Sequence, residues 1–366
     1  MRVLVLATDA FGGYGGIAKY NRDLIKAICT HPDCVEVVAL PRLAPGEWGD
    51  LPEGVTYITD GVGGKTKYIF SVLSTVLKDS NFDLVVCGHI NLLPVAYLAK
   101  KMTNARLMMM MHGIDVWETV GGSLYSYLLR YIDMAVSVSE LTKRRFLDWA
   151  PLSAQKVEIL PNAIDIDSYR PGEKPESLIE RYGLQNKIVI MTLGRISANE
   201  QYKGFDEVID VIPLLLQEIP NVIYLLCGDG DDRKRLEEKV EKLGLQQHVI
   251  FTGYVSEEEK VEHYRLADVY VMPSHGEGFG IVLLEAMACG IPVVASKVDG
   301  GREALRDGIL GIIVDPGDLD DIRSAINRSL HMQKGVIPEG IDYFSYDNFK
   351  QRCYRILNRV VHDEGL

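Results

Sequence analysis

Two patterns of apolar residues alternate along the chain. Short unbroken apolar runs are typical of strands buried on both faces of a parallel sheet, and longer segments with apolar residues at helical spacing are typical of amphipathic helices. In the first half, the predicted strands are residues 3–8, 35–40, 55–58, 84–87, 105–111, 135–138 and 157–159. The predicted helices are residues 17–28, 66–78, 93–102, 124–131 and 140–149. Strands that alternate with helices indicate a parallel sheet covered by helices on both faces.

The alternation pauses at residues 165–187, which are polar and contain Pro171, Gly172 and Pro175. This composition predicts a linker with one short helix near residues 177–182. A second alternation then begins. Its predicted strands are residues 188–193, 222–227, 249–252, 269–272, 293–295 and 311–314.

A length of 366 residues exceeds one average domain, and the two alternations divide the chain accordingly. We expect an α/β protein with one doubly wound, Rossmann-like domain over residues 1–170, a second over residues 171–345, and a C-terminal segment over residues 346–366. Within the second domain, Pro213 removes a helical hydrogen bond. It therefore predicts a kink or a break in the helix of residues 205–217.

Composition narrows the class of protein. A hydrophobic content of 47% with 25% charged residues is ordinary for a soluble globular protein, and the net charge of −12 argues against nucleic acid as a partner. The six cysteines form no C-x-x-C pair, which favours buried thiols in a reducing compartment over disulfides or metal ligands. The first residues lack the apolar region of a signal peptide, and no apolar run reaches about 18 residues. We therefore expect a cytoplasmic protein whose only membrane contact is peripheral.

Residues 273–292, PSHGEGFGIVLLEAMACGIP, predict a glycine loop and then a helix, directly after the strand of residues 269–272. The first N–H groups of a helix have no partner within the helix and carry the positive end of its dipole. Gly280, Ile281 and Val282 stand at this position. Their amides are a candidate seat for a phosphate.

Two acids flank the same loop. Glu277 precedes the predicted helix and Glu285 lies about one turn inside it. Carboxylates repel phosphate but accept hydrogen bonds from hydroxyl groups. A phosphate-binding loop flanked by two acids therefore predicts a ligand with both phosphate and hydroxyl groups, such as a nucleotide sugar. The alternatives are that Glu277 only favours the helix dipole and that Glu285 is a solvated helix residue.

Glu277, Phe279, Gly280 and Glu285 match an E-x7-E motif with a GFG loop. This motif resembles that of the family 4 (group 1) retaining glycosyltransferases, which have the GT-B fold of two doubly wound Rossmann-like domains with parallel sheets facing a central cleft. The resemblance implies transfer of a sugar from a nucleoside diphosphate to a hydroxyl acceptor with retained configuration. It also implies that the first domain binds the acceptor and that the C-terminal helix, residues 347–361, packs back on the first domain.

Two cations follow the strand of residues 188–193. Fixed positive charge stabilises the departing diphosphate more than the bound donor. Arg195 and Lys203 would project from the carboxyl end of that strand, and they match the family's Arg…Lys-Gly pair, with Glu200 as a candidate third member. The alternative for Lys203 is a surface lysine without a role. With these cations and the helix amides in place, we expect no metal and no other cofactor.

The first domain has its own glycine loop, residues 9–16, which includes Gly15 and Gly16. A dinucleotide-binding fingerprint can be read here, but we reject it for two reasons. Too many residues separate the first strand from the first glycine of the fingerprint, and the second strand ends without an acid that could bind a ribose. The resemblance implies that the loop approaches the donor phosphate, and the alternative is a flexible turn.

The resemblance also implies that His112, after the strand of residues 105–111, contacts the donor sugar. Asp115 is a candidate to orient it or to contact the acceptor.

The remaining expectations concern partners. Val255 and the loop of residues 228–230 are candidates to hold the nucleobase. We expect a UDP- or GDP-linked donor and a glycan or lipid-linked acceptor in cell-surface polysaccharide synthesis. A basic set could contact an anionic membrane, although such charges are usually solvated helix faces: Lys65, Lys67, Lys100, Lys101, Arg106, Lys143, Arg144 and Arg145. The rival functions are a nucleotide-sugar epimerase of the same architecture and a non-catalytic sugar-binding protein.

Overall fold

Two parallel β-sheets organise the computed structural model, which describes residues 1–362. Residues 363–366 of the predicted C-terminal segment lie outside the described residues. The first sheet has seven strands in the order β3-β2-β1-β4-β5-β6-β7, and every neighbouring pair is parallel. Its strands are β1 (Arg2–Ala7), β2 (Glu36–Pro41), β3 (Val55–Tyr57), β4 (Leu84–Cys87), β5 (Arg106–Met111), β6 (Met134–Ser137) and β7 (Val157–Ile159).

Five helices connect these strands, and most of them bury one face against the sheet. They are α1 (Gly15–Cys29), α2 (Lys65–Lys78), α3 (Leu93–Thr103), α4 (Gly122–Leu129) and α5 (Glu140–Leu147). The central strands are buried throughout because helices cover both faces, which explains their unbroken apolar runs.

The second sheet has six parallel strands in the order β10-β9-β8-β11-β12-β13. Its strands are β8 (Ile188–Leu193), β9 (Val222–Cys227), β10 (Val249–Gly253), β11 (Val269–Met272), β12 (Val293–Ser296) and β13 (Ile312–Val314). Its helices are α6 (Glu176–Tyr182), α7 (Phe205–Leu216), α8 (Arg233–Lys242), α9 (Lys260–Leu266), α10 (Ile281–Ala288), α11 (Gly301–Ala304) and α12 (Leu319–Leu330). A final helix, α13 (Tyr346–His362), follows.

The chain forms two compact units. The first contains residues 1–163 together with the described residues from 346 to 362, and the second contains residues 164–345. Within the first unit, helix α13 packs against α1. The predicted boundary at residue 170 lies seven residues beyond the observed one, inside the segment expected to be a linker.

Each sheet reverses its strand order at one place, and that place positions the ligand sites. In the first sheet the reversal lies between β1 and β4, and in the second between β8 and β11, where Ile190 pairs with Val269. Loops at the carboxyl ends of two such strands diverge to opposite sides and leave a crevice. The loops after β8 and β11 therefore lie side by side.

Of the kink or break predicted at Pro213, the break is wrong. Helix α7 runs without interruption from Phe205 to Leu216, with Pro213 inside its last turn. Val211, Ile212 and Leu215 are fully buried around it, so core packing outweighs the loss of one hydrogen bond.

Two further findings concern the whole described chain. All six cysteines are free thiols, four of them buried and two, Cys29 and Cys34, partly exposed. Among residues 1–362, every helix is either too short or too polar to cross a membrane.

Candidate functional site

Helix α10 begins at the loop that carries the predicted phosphate seat. Gly280 precedes it in the left-handed region with φ +83°, and no side chain caps this end of the helix. A Cβ on Gly280 would lie 2.9 Å from the Leu283 side chain, so both backbone conformation and packing require glycine here. The first amides of α10 are therefore available to an anion.

A buried carboxylate that the sequence did not reveal holds the Glu277 loop in place. Asp299 Oδ2 accepts hydrogen bonds from Ser274 Oγ at 2.6 Å and from the backbone N–H of Glu277 at 2.8 Å, and its Oδ1 accepts from the Gly301 N–H at 2.9 Å. The Gly300 N–H donates to the carbonyl oxygen of Glu277 at 2.8 Å. Burial raises the pKa of Asp299 to about 7, against the effect of these hydrogen bonds. The loop therefore depends on contacts with the segment after β12.

Glu285 is fully buried, which excludes the alternative that it is a solvated helix residue. Tyr264 donates its hydroxyl to Oε2 at 2.8 Å, and the Lys260 ammonium lies 3.7 Å from the same oxygen. Among the described residues, no donor lies within hydrogen-bond distance of Oε1, although the Tyr169 hydroxyl is close enough that burial and the Glu285 carboxylate raise the pKa of Tyr169. A buried carboxylate oxygen that lacks a partner is costly, so Glu285 retains an acceptor suited to a ligand hydroxyl.

The two predicted cations share one carboxylate. Lys203 Nζ lies 2.7 Å from Glu200 Oε2, and Arg195 forms an ion pair with the same side chain. Burial acts to raise the pKa of Glu200, but Arg195 and Lys203 hold it below its ordinary value. Arg195 is largely exposed, whereas Lys203 is mostly buried. Glu200 thus fixes the position of both cations.

The loop that contains Lys203 packs directly on the loop after β11. The His275 N–H donates to the carbonyl oxygen of Tyr202 at 2.7 Å. A Cβ on Gly204, which has φ +84°, would lie 2.7 Å from the carbonyl oxygen of Pro273. Burial raises the pKa of Glu277, and the positive charge of Lys203 opposes that shift. The structure therefore brings the loops that carry Lys203 and Glu277 together at the reversal between β8 and β11.

The side chains of Phe279 and Val255, two candidates for the donor site, are both buried in the second unit. The Phe279 ring is buried and meets the Phe344 ring edge to face at 5.4 Å, so it stabilises the fold, and only its backbone remains for a ligand. Val255 is also buried. In the neighbouring loop, a Cβ on Gly228 would lie 1.9 Å from the Gly194 carbonyl oxygen, so that glycine is needed for close packing of the β8 and β9 loops.

His112 lies at the carboxyl end of β5 in the first unit. Its Nε2 is 2.8 Å from the carbonyl oxygen of Gly88, which can only accept, so Nε2 carries the proton and Nδ1 is an acceptor. Burial lowers the pKa of His112 to about 4, and the ring is neutral near pH 7. The Tyr20 ring packs edge to face on it at 5.3 Å.

Asp115 does not orient the His112 ring, so this candidate role is wrong. Its carboxylate accepts from the backbone N–H of His112 at 3.1 Å, and Gly88 fixes the ring instead. Asp115 follows His112 by three residues in a turn, and at this separation its carboxylate reaches the backbone amide of His112 more easily than the imidazole ring. Burial raises the pKa of Asp115 to about 7.

Hydrogen bonds from a side chain of helix α1 hold the glycine loop of the first unit. Arg22 donates to the carbonyl oxygens of Ala10 and Gly13 at 3.0 and 2.9 Å. Gly15, with φ +85°, begins helix α1, and both Gly15 and Gly16 are exposed. Their amides lie at the N-terminus of a long helix, as the sequence predicted.

Both halves of the chain match family models of glycosyltransferases. Residues 176–338 match the model for glycosyl transferases group 1, and residues 14–168 match the model for glycosyltransferase family 4.

Among residues 1–362 there is no group of three or more His, Cys, Asp or Glu side chains placed to hold a metal ion.

Individual relatives extend over much of the chain. It is 32% identical over 269 residues to a GDP-mannose-dependent alpha-(1-6)-phosphatidylinositol monomannoside mannosyltransferase of Mycolicibacterium smegmatis, covering 70% of this chain and 69% of the relative. It is 31% identical over 360 residues to a phosphatidyl-myo-inositol mannosyltransferase of Mycobacterium leprae, covering 93% of this chain and 91% of the relative. The crystal structure of Anabaena HepE in complex with UDP and glucose has a TM-score of 0.77 at 22% identity, over 97% of this chain and 99% of that one. The chain therefore belongs to the group 1, family 4 glycosyltransferases and has their GT-B fold.

Proposed function

We propose that this glycosyltransferase moves a hexose from a nucleoside diphosphate sugar to a hydroxyl group of a lipid-linked acceptor, with retention of configuration. GDP-mannose is the favoured donor and an inositol phospholipid or its mannoside the favoured acceptor. The names of the Mycolicibacterium and Mycobacterium relatives support this choice. The observation that carries the proposal is the packing of the loop that holds Arg195, Glu200 and Lys203 against the loop that carries Glu277 and precedes α10.

Each part of this cluster has a separate task. The amides of Gly280, Ile281 and Val282 receive a phosphate, and Arg195 and Lys203 neutralise the charge that grows on the diphosphate as it departs. Glu277 accepts hydrogen bonds from the hydroxyl groups of the sugar. Glu285 accepts one from the ribose through Oε1, its oxygen without a partner.

The reaction is proposed to occur on one face of the sugar. The bond between C1 and the phosphate oxygen breaks, and its electron pair stays on the phosphate oxygen. The acceptor oxygen then bonds to C1 on the same face, and the proton of the acceptor hydroxyl moves to that phosphate oxygen. This sequence uses the leaving group as the base, so the protein needs only to position the reactants and stabilise charge.

His112 is assigned to the donor sugar on the basis of the family resemblance. Its fixed, neutral ring offers Nδ1 as a hydrogen-bond acceptor for a sugar hydroxyl. We further propose that no metal is required, since two cations and the helix amides already face the developing charge.

Thermal shift with UDP, GDP, ADP and their sugar conjugates tests the donor assignment. A ligand that binds only the native state stabilises it by about 2.7 kcal/mol at about 100 times its Kd, which corresponds to about 5–10 °C for a unit of this size. We expect GDP and GDP-mannose to give the largest shift. A larger shift with UDP would change the donor, and no shift with any nucleotide would refute the proposed site.

Product analysis separates the transferase from the epimerase of similar architecture. With GDP-mannose alone, an epimerase converts the donor into another sugar nucleotide, whereas a transferase leaves it intact or hydrolyses it slowly. With an inositol phospholipid added, the transferase forms a mannosylated lipid and GDP. A new sugar nucleotide without an acceptor would favour the epimerase.

A further inference from the structure

A second histidine, His89, lies beside His112 at the carboxyl edge of the first sheet. It follows Gly88 at the end of β4, and the N–H of Gly88 donates to the carbonyl oxygen of Leu6 in β1 at 2.7 Å. The strand order of this sheet reverses between β1 and β4, so His89 stands at the crevice that such a reversal leaves. Its ring lies nearly parallel to the His112 ring, with centroids 6.2 Å apart and planes at 24°. No step of the proposed transfer uses this side chain.

The backbone after His89 decides which nitrogen of its ring carries the proton. His89 precedes a short 3₁₀ turn, Ile90–Leu92, and the N–H of Asn91 donates to His89 Nδ1 at 3.1 Å. Nδ1 is therefore an acceptor, and Nε2 carries the proton. Burial and the positive charge of Arg42 lower the pKa of His89 to about 4, so the ring is neutral near pH 7. Nε2 is thus a neutral hydrogen-bond donor.

A gap of one atom separates this donor from the nearest carboxylate. His89 Nε2 lies 4.0 Å from Asp115 Oδ2, which is too far for a hydrogen bond. In the described part of the chain, no other acceptor forms a hydrogen bond with Nε2. An oxygen atom about 2.8 Å from both atoms would see them at an angle of about 90°, which suits an oxygen that accepts one hydrogen bond and donates another. The two side chains are 13% and 9% exposed, so the gap borders the solvent.

The chemistry of the gap selects one kind of ligand group. A metal ion needs the lone pair of Nε2, but this nitrogen carries the proton. A phosphate would be repelled by the Asp115 carboxylate, and an ammonium group would meet the Nε2–H of His89. A hydroxyl group fits, because its oxygen accepts from Nε2 and its hydrogen is donated to Oδ2.

We propose that His89 and Asp115 together bind one hydroxyl group of the acceptor, and that His89 thereby determines which acceptors are used. Asp115 was a candidate for acceptor contact, and His89 supplies the donor that makes this contact specific for a hydroxyl group. The proposal rests on the proposed function, in which the reacting hydroxyl gives its proton to the departing phosphate. That hydroxyl cannot also donate to Asp115, so the bound group is a neighbouring one. The acceptor is therefore a polyol, such as an inositol or sugar ring.

Replacing His89 by Asn removes the donor and keeps the local structure. Asparagine is common at this turn position, where its Oδ1 can accept the Asn91 N–H as His89 Nδ1 does. The assay is GDP release from GDP-mannose with short-chain phosphatidylinositol at pH 8, where Asp115, whose pKa burial raises to about 7, is ionised. We expect the KM for the acceptor to rise about three- to tenfold, as for one neutral hydrogen bond, with kcat within about twofold of the wild type.

Phosphatidylinositol analogues that each lack one ring hydroxyl identify the group that is bound. With the wild-type enzyme, one analogue should show the same rise in KM as the His89→Asn variant shows with the parent lipid. With that analogue, His89→Asn should cause no further rise, because the two changes remove the same hydrogen bond. With the other analogues, the variant should keep its full effect.

His31→Asn is the matched control. His31 Nδ1 accepts the N–H of Asp33, two residues later, at 3.2 Å, so the substitution changes the same kind of local hydrogen bond. His31 follows helix α1 at the amino edge of the sheet, away from His89. Its KM for the acceptor should stay near that of the wild type once corrected for folded protein.

Nuclear magnetic resonance of enzyme labelled with ¹⁵N-histidine gives a readout that does not need turnover. The His89 resonances are assigned by their loss in His89→Asn. They should show a ring protonated at Nε2, and they should shift when short-chain phosphatidylinositol is added without GDP-mannose. The His31 resonances should not shift.

Four results would overturn the proposal. They are an unchanged KM in His89→Asn, a loss confined to kcat, an equal effect of the variant with every deoxy analogue, and His89 resonances that phosphatidylinositol does not shift. Nucleotide binding is measured separately by thermal shift. GDP can therefore raise the melting temperature while the His89 site fails, and the absence of any nucleotide shift would refute the donor site while the His89 resonances still report acceptor binding.

Discussion

Replacing Lys203 by Met tests the cluster at the reversal between β8 and β11. Methionine keeps most of the length of the side chain and removes the charge. Glu200 retains Arg195 as a partner, so the Glu200 carboxylate is not left unpaired and the fold should survive. The change therefore isolates the positive charge beside Glu277.

The expected effect follows from the electrostatics of a partly buried site. Lys203 is mostly buried, so an effective dielectric constant of about 20 is appropriate, and a charge about 4 Å from the diphosphate contributes about 4 kcal/mol. Loss of one such group typically reduces the rate by about 10²–10³. Because the charge on the phosphate grows as the bond breaks, we expect the loss mainly in kcat.

Steady-state measurement of GDP release with a lipid acceptor is the assay. Lys239→Met is the matched control, because Lys239 is a partly buried lysine in ion pairs with Asp206 and Asp210 on the surface of the same unit. Its kcat should stay near that of the wild type once corrected for folded protein. A Lys203→Met enzyme with near-normal kcat and KM would remove Lys203 from the site and refute the assignment of the cluster.

Three further predictions follow from the same geometry. Glu285→Ala should weaken GDP binding measured by calorimetry, and unchanged affinity would contradict the proposed ribose contact. Asp299→Asn should flatten the pH dependence of the free energy of unfolding. The pKa of Asp299 is about 7 in the folded protein and about 3.9 in the unfolded chain, so the wild-type protein loses stability as the pH rises between these values. Chemical denaturation across this pH range should show a smaller loss of stability in the variant. An equal slope in both proteins would show that Asp299 titrates normally. A chelator added to the purified enzyme should leave turnover unchanged, and a loss restored by a divalent cation would refute the proposed independence from metal.

The strands that carry the site were predictable because their sequence signal is local. The observed bounds of β8, Ile188–Leu193, and β11, Val269–Met272, are those of the predicted apolar runs. Both runs are buried on two faces and end at Gly194 and Pro273, which terminate strands for steric reasons. The amino-acid pattern alone therefore places the residues just beyond each strand end at the edge of the sheet.

Contacts between distant segments were not predictable in the same way. Asp299 was not among the candidates, because its role depends on Ser274 and the Glu277 amide more than twenty residues earlier. Phe279 was expected to contribute to the donor site, yet its ring packs on Phe344. The break expected at Pro213 did not occur because its neighbours are buried in the core.

The sequence by itself determined the order of strands and helices, the glycine loops and the types of side chain at the strand ends. These features depend on hydrophobic period and backbone preference, which act over a few neighbouring residues. Only the tertiary structure decided that Glu200 holds both Arg195 and Lys203, and that Glu285 is buried and accepts a hydrogen bond from Tyr264. Those outcomes depend on which elements pack together, and that choice is made by burial over the whole domain.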